Sequence, residues 1–151
     1  MTAPHARTIR FDELVVGHIY RSATVEVTKD EIKSFAARYD PQPFHLDEVA
    51  AQQSVFGGLV ASGWLTAALT MRLMVTSEFQ LGGGAIGLGV DSLRWPQPVR
   101  PGDELTATVE IVGRRASESK PGFGIVKIRT TTTNQRDEVV QVMVSNILVR
   151  K

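Results

Sequence analysis

The run Tyr39-Asp40-Pro41-Gln42-Pro43-Phe44-His45 holds a carboxylate and an imidazole close together in the chain. These are the side chains best suited to proton transfer near neutral pH, and if they converge on one water each can serve as the other's acid or base partner. Pro41 lacks a backbone N–H and disfavours the α conformation for Asp40, and Pro43 does the same to Gln42. A helix arriving from upstream must therefore stop here, leaving Asp40 and His45 on a stiff, extended loop. Further along, Ser62-Gly63 opens the most apolar stretch of the sequence. A helix starting there would take Ser62 as its N-cap and put the N–H of Gly63 at the positive end of the helix dipole. Taken alone, Asp40 and His45 fit an Asx-type turn beside an exposed imidazole better than they fit a catalytic pair.

The elements that must position these residues can be read from periodicity. Tyr20 to Val27 alternates Ala23, Val25 and Val27 against Thr24 and Glu26, the pattern of a half-buried strand. Thr28 and Glu31 form a capping box, and Ile32, Phe35, Ala36 and Tyr39 recur at helical spacing, so a helix is expected over Lys29 to Tyr39. Leu46 to Gln53 reads as a second, short helix. From Gly63 to about Ser77 the apolar residues surround the whole helical circumference, which predicts a helix buried on most sides. Arg72 interrupts that stretch, and it is shorter than the roughly 20 residues that span a bilayer. Strands are expected over Ile86 to Trp95, Asp103 to Ala116, Phe123 to Asn134 and Val139 to Val149. A long buried helix followed by long antiparallel strands predicts an α+β fold, one antiparallel sheet wrapped around a central helix.

Composition narrows the function classes. The chain has 151 residues, enough for one domain with a substantial core. Its 17 Lys and Arg balance 16 Asp and Glu, which offers no basic field for nucleic acid. Without cysteine there is neither a thiol nucleophile nor a Cys-based zinc site, and His5, His18 and His45 are too scattered to suggest metal ligation. His5 and His18 lack neighbouring partners and are set aside. No metal and no redox cofactor are expected. Met1 to Arg10 carries no apolar leader segment, so residues 1–10 are expected to be a loose terminus, residues 11–151 the folded domain, and the cytoplasm the compartment. Gly82-Gly83-Gly84-Ala85-Ile86-Gly87 satisfies G-x-G-x-x-G, but a helix precedes it and a strand follows, the reverse of the dinucleotide-binding context, so it reads as a turn.

Asp40-Pro41-Gln42-Pro43-Phe44-His45 resembles the D-x-N-P-x-H signature of the MaoC-like dehydratases, the (R)-specific enoyl-CoA hydratases of the hotdog fold. The resemblance continues through Leu46-Asp47, through Gly63, where the family has a His-Gly pair before its central helix, and through Leu93-Arg94-Trp95-Pro96-Gln97-Pro98-Val99-Arg100-Pro101-Gly102-Asp103, similar to the family's Pro-Val-x-x-Gly-Asp turn. The chain departs from it at Gln42, usually Asn, and at Ser62, often His. The resemblance implies reversible hydration of a trans-2-enoyl thioester of coenzyme A or acyl carrier protein. In it Asp40 and His45 would hold the attacking water, Gly63 N–H would polarise the thioester carbonyl, and the helix and inner sheet face would form an apolar acyl slot. It also implies a homodimer or higher homo-oligomer.

Gln42, Phe44, Ser62, Trp64 and Arg94 are candidate substrate contacts, and Arg72, Arg94 and Arg100 are candidates to meet coenzyme A phosphates. Proline at position 63 would delete the proposed donor, whereas alanine would keep it and is expected to be milder. Two other classes stay open. A hotdog thioesterase needs a carboxylate to activate water but not this Asp/His pair, and a non-catalytic acyl-binding subunit could lose either residue.

Overall fold

The computed structural model describes residues 7–151. His5 lies outside the described residues, as does most of the terminus expected to be loose. Of the remainder of that terminus, Ile9 forms a parallel bridge to Leu81 and donates its N–H to Gln80 O at 2.6 Å. A 3₁₀ turn, Phe11–Glu13, follows, and the ring of Phe11 lies so close to Gly124 that a Cβ there would collide with it.

Strand β1 (Ile19–Glu26) leads into helix α1 (Lys29–Tyr39). The capping residue acts as expected, with Thr28 Oγ1 accepting from Glu31 N at 3.2 Å. The helix ends at Asp40, whose N–H still reaches Ala36 O but whose φ of −149° is already outside the helical region. The segment beyond is not extended. Pro43–Leu46 forms one helical turn, α2, with Pro43 in the opening position where a missing N–H costs nothing. Asp47 then accepts from Val49 N at 2.8 Å and Ala50 N at 3.2 Å, starting α3 (Glu48–Gln52). The helix expected over Leu46 to Gln53 is thus α3, starting only at Glu48, because the Asp47 carboxylate caps its first amides and Leu46 belongs to the preceding turn.

Helix α4 (Gly63–Val75) precedes β2 (Ile86–Arg94), β3 (Glu104–Ala116), β4 (Phe123–Thr133) and β5 (Val139–Arg150). The strands form one antiparallel sheet in the order β1-β3-β4-β5-β2, the hotdog arrangement of a sheet curved round a helix. Gly83 and Gly84, with φ of 77° and 86°, make the turn into β2 that the glycine run predicts. The strand expectation for β1 needs one correction. A bulge between Arg21 and Thr24 resets the alternation, so Tyr20 and Ser22 face inward before it and Val25 after it, and Ala23 is exposed. Ser22 Oγ accepts from Ala107 N at 2.8 Å, covering an amide the bulge would strand.

Two apolar clusters fill the space between helices and sheet. One joins Val27, Ile32, Leu65, Leu69, Leu105 and Val140, and the other joins Phe11, Met74, Val109, Ile111, Val126 and Ile128. Helix α4 buries Leu65, Thr66, Leu69, Thr70, Leu73 and Met74 but not its whole circumference. Trp64, Ala68, Met71 and Val75 are exposed, because the sheet of one chain can cover only one side of the helix. No helix among the described residues is long and apolar enough to cross a membrane.

Candidate active site

The end of α1, the turn α2 and the start of α4 meet at Asp40. His45 is 5 % exposed, and its Nδ1 lies 2.7 Å from Val60 O. A carbonyl can only accept, so Nδ1 carries a proton and the tautomer is set by the backbone. That leaves Nε2 facing Asp40 Oδ2 at 3.3 Å. In the neutral imidazole both facing atoms are acceptors, so a hydroxyl or water beside the pair is within reach of both. In the protonated imidazole the two form an ion pair. The geometry therefore suits a group that passes one proton between a carboxylate and an imidazole by way of a shared oxygen.

Two further side chains hold the carboxylate. Ser62 Oγ donates to Oδ2 at 2.7 Å, and Gln42 Nε2 donates to Oδ1 at 2.6 Å. The longer stem of Gln42, compared with asparagine, lets its amide fold back on Asp40 while its backbone stands at the start of α2. The Ser62 hydrogen bond is the largest influence holding the Asp40 carboxyl below the usual carboxylate range, opposed by partial burial and assisted by Gln42 and His45. Ser62 is also the N-cap of α4, accepting from Trp64 N at 3.3 Å, as its position before Gly63 predicts. One hydroxyl thus links the helix start to the carboxylate. Ser62→Ala is expected to raise the pH at which the Asp40 carboxyl titrates, followed by NMR, and to lower the melting temperature through loss of a cap that contributes about 0.5–2 kcal/mol. An unchanged Asp40 titration would show that the hydroxyl does not hold the charge.

These residues open onto a cavity of about 470 Å³, within the usual range for small-molecule sites. Phe44 stands on its wall with its ring edge-on to His45, the centroids 4.6 Å apart, and against Phe56 at 5.3 Å. Gly63, Trp64, Thr66, Trp95 and Val140 complete the inner end. The Gly63 N–H has no acceptor within its own helix. A Cβ on Gly63 would lie 2.5–2.8 Å from three atoms of the Trp95 indole. Alanine here is therefore not the mild change its retained N–H predicts, because the ring occupies the space its methyl needs. Trp95 is held by Trp64, edge-on at 5.3 Å, and by a hydrogen bond from Nε1 to Gln141 Oε1 at 3.0 Å.

The remaining candidates lie apart from this cavity. Arg94, the last residue of β2, is exposed and outside the cavity wall, whereas the next residue, Trp95, lines the cavity while remaining 40 % exposed. Arg100 spends its guanidinium on Phe56 O at 2.8 Å, fixing the loop before α4, and Arg72 is exposed on α4. His18 packs edge-on against Tyr20, away from Asp40. Among the described residues no group of three or more His, Asp or Glu is disposed to hold a metal ion. The inner wall also differs from the all-apolar slot that the resemblance implies, since Thr66 is part of it and Gln141 lies directly behind Trp95.

The sequence profile of the MaoC-like domain matches residues 10–134, more than half of the chain. The chain belongs to the MaoC-like family. A crystal structure of a MaoC-like dehydratase from Rhodospirillum rubrum is 48% identical and superposes with a TM-score of 0.91, over 95% of this chain and 97% of that one. The (R)-hydratase of A. caviae involved in PHA biosynthesis is 32% identical with a TM-score of 0.72, over 89% of this chain and 96% of its own. The 3-hydroxyacyl-thioester dehydratase Z of Mycobacterium tuberculosis is 34% identical over 75% of this chain and 74% of its own length. This MaoC-like chain is therefore a member of a hydratase and dehydratase family, and its relatives point to lyase-type chemistry. Sequence reasoning did not find Val60, Trp95 or Gln141 as parts of the site. Trp95 lies in the Leu93 to Asp103 stretch that carries the resemblance, so that stretch held a signal for it. Val60 acts through its carbonyl, which residue type cannot reveal.

Proposed function

We propose that the protein catalyses the reversible syn addition of water to trans-2-enoyl thioesters, giving (R)-3-hydroxyacyl thioesters. The observation that carries this reading is the facing pair, His45 Nε2 3.3 Å from Asp40 Oδ2 with the imidazole tautomer pinned by Val60. In hydration the water sits beside the pair, within hydrogen-bond reach of both. Asp40 takes one of its protons as the oxygen bonds to C3, and His45, entering the step as the imidazolium of the ion pair, orients the water and delivers its Nε2 proton to C2; the proton on Asp40 then passes to Nε2 and restores the pair, and in dehydration the same protons return. The two residues can exchange these roles without changing the balance. The Gly63 N–H at the start of α4 stabilises the enolate-like oxygen of the thioester, a type of contact whose loss typically costs about 10²–10³ in rate. The carrier is coenzyme A or acyl carrier protein, part of the substrate rather than a cofactor.

The names of the relatives, an (R)-hydratase and a 3-hydroxyacyl-thioester dehydratase, support the same chemistry. The test offers enoyl and 3-hydroxyacyl thioesters of graded length and follows enoyl absorbance and free thiol together. Hydration without thiol release is the expected result. Thiol release at the rate of enoyl loss would replace the reading with a thioesterase.

The working form is a homodimer or larger homo-oligomer. Trp64, Met71 and Val75 of α4 and Ile86, Leu88 and Val90 of β2 are large, apolar and 46–60 % exposed in one chain, and β2 is an edge strand with one side unpaired. A second copy would cover both. Light scattering at micromolar concentration is expected to return at least twice the chain mass. A monomeric mass in a fully active sample would remove this claim.

A further inference from the structure

The cavity wall beside Gly63 is one aromatic ring held in place from several directions. The indole of Trp95 lies so close over Gly63 that a Cβ there would come within 2.5–2.8 Å of its Cε2, Cδ2 and Cζ2 atoms. Trp64 packs edge-on against the ring at 5.3 Å, and Trp95 Nε1 donates to Gln141 Oε1 at 3.0 Å. The residue lines the cavity and is not buried, so part of its open surface faces whatever the cavity holds.

Gln141 makes sense only through that ring. Its side chain is fully buried and is not part of the cavity wall. Oε1 takes the indole N–H, while Nε2 has no acceptor among the described residues. A buried amide N–H without a partner is destabilising, and an apolar side chain of similar shape would avoid the penalty. What the amide does there, and an apolar group could not, is fix the indole. The backbone is adapted to the same end. Thr132 pairs with Gln141 and Thr133 with Val139, so Val140 is an extra, bulged residue. The bulge lets Val140 stand in the cavity wall while Gln141, at the next position, is buried behind the ring.

We propose that Trp95 is a specificity-determining residue whose fixed indole closes the acyl side of the site and confines the protein to short 2-enoyl thioesters such as crotonyl, with Gln141 as its positioning residue. This deepens the hydratase reading and rests on it. With the thioester carbonyl at the Gly63 N–H and C3 beside Asp40 and His45, the acyl group is held next to the residue on which the indole lies. The cavity of about 470 Å³ must also admit the thioester end of the carrier, which leaves little of it for an alkyl chain. A longer chain has to displace the ring, and Gly63, Trp64 and Gln141 together resist that displacement. A fitted apolar pocket discriminates by about 10–200-fold for one methylene, so a rigid wall suffices to set acyl length.

The test measures hydration of crotonyl, hexenoyl and octenoyl thioesters of coenzyme A by the parent, Trp95→Ala, Trp95→Phe and Gln141→Met. Calorimetry of the saturated butyryl, hexanoyl and octanoyl thioesters runs alongside, and NMR follows the indole N–H signal that Trp95→Phe removes. The parent is expected to favour crotonyl over octenoyl at least about tenfold in kcat/KM, and butyryl over octanoyl in affinity. Trp95→Ala should close that ratio at least about tenfold, mainly by lowering KM for octenoyl. Trp95→Phe and Gln141→Met should close it in part, and in Gln141→Met the Trp95 indole N–H signal should move toward that of a free indole. A parent that takes octenoyl as readily as crotonyl would overturn the proposal, as would an unchanged ratio in Trp95→Ala. If Trp95→Ala does not fold, the parent ratio and its change in Trp95→Phe decide the matter. An unchanged ratio in Gln141→Met would overturn the positioning role of Gln141. Length-selective binding of the saturated thioesters, relaxed in Trp95→Ala, without hydration of any enoyl thioester would sink the reaction and leave the wall standing.

Discussion

Asp40→Asn and His45→Gln are each expected to reduce enoyl-thioester hydration by orders of magnitude, and the double variant to be little worse than the poorer single one. Each group alone contributes about 10²–10⁴-fold as a general acid or base. If both act on one water in one step, removing the second costs little once the first is gone. The 3.3 Å approach of His45 Nε2 to Asp40 Oδ2 makes independent action difficult, since any oxygen bonded to one lies within reach of the other. The fold should persist, because the loop is tied by backbone bonds that neither side chain makes, including Val60 N to Phe44 O at 3.2 Å and Ala61 N to Val99 O at 2.8 Å. Melting should move by only a few degrees, equivalent to about 1 kcal/mol. Near-parental hydration in either single variant would end the shared-water mechanism. Simple multiplication of the two single losses in the double variant would show that the residues act in separate steps.

The same arrangement fixes the sign of a pH effect. The Asp40 carboxyl is held below its ordinary value, first by Ser62, so its contribution to stability is present above the unfolded carboxylate range of about 3.9. That contribution is lost only as pH falls through the lower folded value. A loss of activity near neutral pH in the parent therefore belongs to a group other than Asp40.

How much of this was legible in the sequence depends on the distance over which each feature is decided. Helix α1 was, because Thr28, Glu31 and the Asp40-Pro41 step act within a turn of the backbone they control. The start of α4 at Gly63 was legible for the same reason. The bulge in β1 was not, since it depends on what β3 offers opposite Ser22. Nor was the exposed side of α4, because composition records that Trp64, Met71 and Val75 are apolar but not which surfaces remain to cover them. In the site, the sequence could bring Asp40 and His45 to one short segment, yet the hydroxyl that holds the carboxylate comes from Ser62, on another element. Trp95 directly follows β2 and Gln141 lies on β5, and only the sheet order puts those two strands side by side. Features set by pairing between distant segments have no local signature.

Gly63→Pro is expected to abolish turnover while leaving substrate-analogue binding and the fold largely intact, because it removes the N–H proposed to hold the developing oxyanion. Position 63 is the first residue of α4, where proline is accepted and the deleted N–H has no helical partner. The difficulty is Trp95. Any side chain at 63 enters the space of its indole, so both Gly63→Ala and Gly63→Pro displace the ring, and a loss of activity in proline alone would confuse the two causes. Alanine supplies the control, since it displaces Trp95 but keeps the N–H. Trp95→Phe combined with Gly63→Ala loosens the ring further by freeing it from Gln141. Activity in Gly63→Ala is expected to fall, to recover in part in the combination with Trp95→Phe, and to stay absent in Gly63→Pro with or without that second change. Crystallographic or circular dichroism evidence of an intact α4 accompanies the comparison. Proline and alanine variants of equal activity, in either Trp95 background, would show that the Gly63 N–H is not the oxyanion donor and that glycine is required here only to make room for the ring.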